Sequence, residues 1–229
     1  MIDEKLEEIL TRRDSFNFGS EEWKKVDEEK ADYLESIKSS MQDDTIYFEE
    51  SDLDGIEGVF TSNTDIYDLP FGVEKRSLLE YHPTRRHPIP YIIVRFEDKY
   101  FFTLREQGGS ELRLIGKKGL IGGHVDDCDL VEGNLEKTFY NALFREVKEE
   151  AGVNEKIIKN ISLKGLIRSD LGVDFDHLGL VYEIELTTDK IKSEEEGILT
   201  GIWIDKNELP KHYESFENWS KIVYDNLLR

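Results

Sequence analysis

Arg145-Glu146-Val147-Lys148-Glu149-Glu150-Ala151-Gly152-Val153 sets three carboxylates on one side of a short helix. Glu146, Glu149 and Glu150 stand at i, i+3 and i+4, where side chains neighbour one another on a helix surface. Like charges at that spacing weaken a helix that has nothing to neutralise them, so a bound divalent cation accounts for the pattern economically. Leu135, Phe139, Ala142, Leu143 and Val147 recur at helical spacing and predict a buried face, leaving the acids turned to a cleft. Gly152 supplies the stop, as a C-terminal residue that tolerates positive φ. The plainer reading is a solvated face in a Glu-rich chain. Five fixed residue types in nine positions arise about once per million windows at average usage, and roughly ten times more often in so acidic a chain. Chance is a poor explanation.

Gly122, Gly123 and His124 close an apolar stretch, 112–121, ahead of the helix. With the nine-residue run, Gly123 resembles the Nudix box of the MutT-type pyrophosphohydrolases: Gly, five residues, Glu, seven residues, then Arg-Glu-aliphatic-x-Glu-Glu-x-Gly-aliphatic. The second half matches throughout and the first does not. After five intervening residues Gly123 is followed by Asp129 in place of Glu, and fifteen residues rather than seven separate it from Arg145. About eight extra residues are therefore expected in 130–134 and the first helical turn after it. Glu136 offers another register, which misses the family spacing by one residue.

The resemblance implies an α/β fold, a Nudix-type α/β/α sandwich with a mixed sheet, and hydrolysis of a pyrophosphate bond with Mg2+ or Mn2+. By the same resemblance Glu149 and Glu150 are direct metal ligands, joined by the backbone carbonyl of Gly122. Glu146 either orients or deprotonates the attacking water or contributes to a second metal. Arg145 holds Glu146 by a charge-assisted bidentate contact, its plainer alternative being an i, i+4 pair with Glu149. In this family a further ligand or base comes from a loop before the last central strand. Glu194-Glu195-Glu196-Gly197 stands there, with Glu196 as the choice and a solvated loop as the ordinary reading. More narrowly, Ile89-Pro90-Tyr91, Ile121-Gly122-Gly123-His124 and Leu178-Gly179-Leu180-Val181-Tyr182 are similar to a MutT-like group described as predicted phosphoesterases. The broad likeness spans about 90–210.

A formal charge of −20 and pI near 4.7 argue against a nucleic-acid partner, since phosphate backbones need Lys and Arg to displace counterions. An anionic substrate still requires cations. Arg85-Arg86-His87 and Lys117 add to the candidate substrate-binding residues Arg95, Arg105, Arg113 and Lys118. His124 either contacts a substrate phosphate or braces its loop. Cys128, the single cysteine, excludes an intramolecular disulfide and reads as an inert thiol. No apolar run reaches the length of a membrane span or secretory signal, so a cytoplasmic location is the expectation. Asp170, Asp174, Asp176 and His177 resemble a ligand set but are equally ordinary turn material.

Along the chain, 1–88 reads as an N-terminal extension and 89–229 as the hydrolase domain. The extension holds a helix over 20–42 with an apolar stripe of Trp23, Val26, Tyr33, Leu34, Ile37 and Met41. That stripe either packs on the main domain or pairs with a second copy in a homodimer. A hairpin over 45–60 turns at Asp54-Gly55, and a proline-rich irregular linker runs to Tyr91. Strands are expected at 91–96, 100–104, 161–167, 178–186 and 198–204, with a closing helix from Ser215. The first functional expectation is cleavage of a nucleoside diphosphate linked to another moiety. Its rivals are a nucleotide-binding sensor of the same fold and a prenyl diphosphate isomerase, the latter needing a catalytic cysteine.

Overall fold

In the computed structural model, which describes residues 3–56, 58–62, 65–105, 116–169, 175–191 and 199–229, the charged N-terminal segment forms two helices. They are α1 (Glu4–Asp14) and α2 (Glu21–Ile37), in place of one helix over 20–42. Gly19 turns the chain at φ 77° between them, and the Ser20 hydroxyl caps α2 by accepting from the Trp23 N–H. Trp23, Val26, Leu34 and Met41 of the expected stripe are buried, while Ile37, at the helix end, is 54% exposed.

β1 (Asp44–Glu49) does not pair with the segment that follows it. The expected hairpin over 45–60 is absent, because a 3-10 turn (Glu50–Leu53) diverts the chain before Gly55 turns it. β2 (Phe60–Thr61) joins a distant strand, and β1 instead pairs antiparallel with β3 (Gly72–Lys75) and with the start of β4 (Arg85–Phe96). Between the last two lies α3 (Arg76–Leu79). Burial explains the choice: Ile46, Phe48, Leu53, Ile56 and Ile66 all enter the main core.

β4 begins six residues before the expected Tyr91, so Pro88 and Pro90 lie inside a strand rather than in a linker. His87 donates its N–H to Asp176 O, which directs the alternate positions 88 and 90 away from that neighbour. On this other side, β1 pairs only at Arg85 and Arg86, and the next partner engages at Tyr91. The missing proline N–H groups therefore fall in a gap of the ladder. The division expected between residues 88 and 89 falls within this strand.

The remaining elements are β5 (Lys99–Arg105), β6 (Lys118–Gly119), β7 (Ile121–Gly122), α4 (Leu135–Ala151), β8 (Ile158–Ile167), β9 (His177–Leu186), β10 (Leu199–Asp205), α5 (Leu209–His212) and α6 (Asn218–Val223). The sheet runs β10-β5-β4-β9-β8-β2, with β4 and β9 parallel and the other ladders antiparallel. Alternation loads both faces. Ile92, Val94, Leu180, Tyr182 and Ile184 pack under Phe139, Leu143 and Val147 of α4, and Tyr91, Ile93 and Val181 pack under Phe216, Val223 and Leu228. The result is a mixed-sheet α/β/α sandwich.

Candidate active site

α4 is built as its sequence requires. The Asn134 side chain accepts from the Lys137 N–H at the start, and Gly152 closes the helix at φ 61° with its N–H on Lys148 O. With Phe139, Ala142, Leu143 and Val147 at 0% exposure, the last turn points its acids off the core to different depths. Glu146 is buried, Glu150 half-buried, and the Glu149 side chain 52% exposed.

Arg145 organises the turn. Its Nε and Nη2 donate to Asp129 Oδ1 and Oδ2 at 3.2 and 2.7 Å, its Nη1 donates to Glu146 Oε1 at 2.6 Å, and its Nη2 also reaches His124 O at 2.8 Å. The bidentate contact expected with Glu146 is thus made with Asp129, and Glu146 takes a single bond. Glu149 lies 3.7 Å from Nη1, a weaker i, i+4 contact. Asp129, 3% exposed and separated from Gly123 by five residues, is therefore the acid that meets the arginine, whereas Glu136 is exposed in the first turn of α4. The extra residues are absorbed by the turn 130–134 and by a helix that starts ten residues before Arg145.

Gly123 completes the arrangement. A Cβ there would collide with the Glu146 carboxylate, so the bare backbone makes the cradle in which that acid sits. Burial pushes the Glu146 carboxyl up to about 7, against the lowering effect of the Arg145 charge and hydrogen bond. For Arg145 burial acts downwards, but the Asp129 hydrogen bond and the charges of Glu146, Asp129 and Asp126 carry it above its ordinary value.

The cations expected for substrate are mostly committed elsewhere. Arg95 pairs with Glu183 at 3.6 Å and Glu185 at 3.0 Å, four residues along β4 from the position opposite Gly122. Lys118 donates to Ser215 Oγ at 2.9 Å. Arg85 bonds Glu49 at 3.0 Å and lies over the Tyr47 ring, Arg86 pairs with Glu50, and His87 is 0% exposed. Arg85 and Arg95 have acids opposite them in the ladder, Glu49 and Glu185, which single-strand alternation does not reveal. Arg105 ends β5, but its side chain, like Arg113, Asp170, Asp174 and the run Glu194-Glu195-Glu196, lies outside the described residues. Cys128 is exposed, and desolvation and the Asp129 charge raise its thiol, so it is not activated as an isomerase nucleophile would be.

His124 meets residues that sequence reasoning did not join to it. Its ring lies 5.0 Å from His87 and 5.4 Å from His177, and Glu80 stands close by. Burial drives the His87 and His124 imidazoles below their ordinary value. Sequence separations of up to 97 residues within this group left no readable spacing.

No family model matches the chain. Protein YmaB of Bacillus subtilis (strain 168) is 29% identical over 182 residues, covering 75% of this chain and 88% of that protein. Among solved structures, Tm1382, a proposed Nudix hydrolase, matches with a TM-score of 0.67 at 24% identity, over 81% of this chain and 98% of that one. The fold is that of the Nudix hydrolases. No helix among the described residues is long and apolar enough to cross a membrane.

Proposed function

We propose that the chain is a Mg2+- or Mn2+-dependent hydrolase of a pyrophosphate bond, acting on a nucleoside diphosphate linked to another moiety or on a related small phosphoanhydride. One observation carries this reading: the Glu146 carboxylate fills the space that Gly123 leaves, while Arg145 ties His124 O and Asp129 to the same turn. Glycine loop and acidic helix thus act as one unit, with Glu149 and Glu150 beside it. The donor set suits a hard cation, since it offers only carboxylate and carbonyl oxygens.

Glu149, Glu150 and the Gly122 carbonyl are the groups we assign to hold the ion. When bound, it would neutralise phosphoryl oxygens and make a water more acidic. Glu146, deeper and close to neutral in pKa, is our choice for the group that orients or deprotonates the attacking water. Arg145 would fix its rotamer through the Asp129 clamp. Glu196 stays a candidate second base, and Arg105, Arg113 and His124 stay candidates for contacting substrate.

Phosphate release across a panel of nucleotide pyrophosphates, with and without Mn2+, tests the proposal. Turnover of at least one substrate is expected. Glu149→Gln and Glu150→Gln should each lower it by about 100-fold or more, because even the supports of metal ligands are worth roughly 10- to 100-fold. Melting should stay cooperative in both. Tight binding without turnover across the panel would instead identify a nucleotide sensor.

A further inference from the structure

On the face of β4 turned away from α4, the fold gathers a second donor set of different chemistry. His87 and His177 are register partners in the parallel ladder, and their rings stack with centroids 4.1 Å apart at 19°. His87 shares the parity of Tyr91 and Ile93, which pack with α6, while Ile92 and Val94 point to α4. His124 approaches from the loop after β7, and Glu80 from the residue that follows α3. One ligand atom from each of Glu80, His87, His124 and His177 can be chosen so that all four lie within 4.8 Å of one another.

Three of the imidazole nitrogens in this group are buried without a hydrogen-bond partner: Nδ1 and Nε2 of His87, itself 0% exposed, and Nε2 of His124. A buried polar atom left unsatisfied is costly, and one nitrogen from each of these two rings can face a shared ligand. Behind them stands Asp176, 1% exposed, with Oδ1 2.7 Å from His177 Nδ1 and Oδ2 3.9 Å from His87 Nε2. The Tyr81 N–H donates to Asp176 Oδ2 at 2.6 Å and anchors it. A carboxylate set behind an imidazole is the usual support of a metal-binding histidine, leaving Nε2 of His177 to bind.

We propose that Glu80, His87, His124 and His177 form a site for one divalent transition-metal ion, with Zn2+ the best match, separate from the oxygen-donor site on α4. Three imidazoles and one carboxylate suit zinc and its neighbours, whereas Mg2+ prefers oxygen. Tetrahedral zinc with bonds of about 2.0–2.1 Å holds its donors roughly 3.3 Å apart, so binding draws the four side chains inwards by an ångström or so. His124 and His177 are half-buried, whereas Glu80 and His87 are buried. The ligands come from four separated segments, so the ion pins the linker after α3 and the glycine loop to the ends of β4 and β9.

The test uses the full chain, made without a histidine tag, stripped with a chelator and titrated with Co2+ or Zn2+ alone. One tightly held ion per chain is expected besides any weaker uptake by the carboxylates of α4, with the visible absorption of low-symmetry Co2+, displacement by Zn2+, and a melting temperature that rises with Zn2+. His124→Gln, His177→Gln and Glu80→Gln should weaken uptake by about tenfold or more, while Glu149→Gln retains it. Circular dichroism checks each variant, and Glu80→Gln, which keeps the side chain's shape, decides if a histidine variant does not fold. No uptake by folded wild-type protein, undiminished uptake in His177→Gln and Glu80→Gln, or loss in Glu149→Gln would each overturn the proposal. Because metal content is read rather than turnover, it stands or falls apart from the pyrophosphatase reading.

Discussion

Arg145 joins two stretches of chain that fifteen intervening residues separate, and its partners define the candidate site more sharply than the three glutamates do. Its presence and spacing to Glu146 were legible in the sequence. That Asp129, one methylene shorter than the family's Glu, would take both guanidinium bonds was not, because helix length and loop path together set that distance. Asp129→Asn removes the charge from a buried bidentate pair, and a loss of ~1–3 kcal/mol is expected in urea unfolding. Gly123→Ala separates fold from function. Its Cβ would meet the movable end of Glu146, so the melting temperature should change by only a few degrees. Hydrolysis of the best panel substrate should nonetheless fall by about tenfold or more, since small displacements of a reacting group cost on the order of 100-fold. Unchanged turnover would separate Gly123 from the placement of Glu146.

At the scale of elements, α4 and the central strands carried their own signals: 3.6-residue periodicity, a stop at Gly152, and apolar β-branched runs. Boundaries failed where a distant partner intervened. Pro88 and Pro90 predict an irregular linker, yet they sit in β4 because the side they cannot serve has no partner there. The stripe on α2 was legible, but its seat was not. Lys30, 0% exposed, donates to the carbonyls of Leu78 at 3.2 Å and Glu80 at 2.8 Å and pairs with Asp27 at 2.9 Å. Asp27 also holds Arg13 at 3.0 Å, so one buried lysine ties the helical pair to the segment after β3. Lys30→Met keeps the volume, takes the donor from the Leu78 and Glu80 carbonyls and leaves Asp27 with Arg13 alone. A loss of ~2–4 kcal/mol is expected by chemical denaturation, and a neutral result would show that water replaces the ammonium.

Over the whole molecule, a net charge of −20 works against a compact state and against an anionic substrate alike. Raising KCl from about 10 to 200 mM at constant Mg2+ shortens the screening length from roughly 30 to 7 Å. Both the melting temperature and kcat/KM should rise, and a fall in kcat/KM would reveal a local basic funnel that outweighs the global charge. The internal pairing of Arg85, Arg86 and Arg95 supports the first outcome. By itself the sequence determined the acidic helix, its glycine loop and the carboxylates at its end, because these depend on spacings of a few residues, while the sandwich was what the family resemblance implied. Tertiary structure alone decided that β1 leaves its neighbour for β3 and β4, that Asp129 clamps Arg145, and that His87, His124, His177 and Glu80 converge. Those contacts join segments far apart in the chain, where burial of a shared core selects the partner and no local periodicity encodes it.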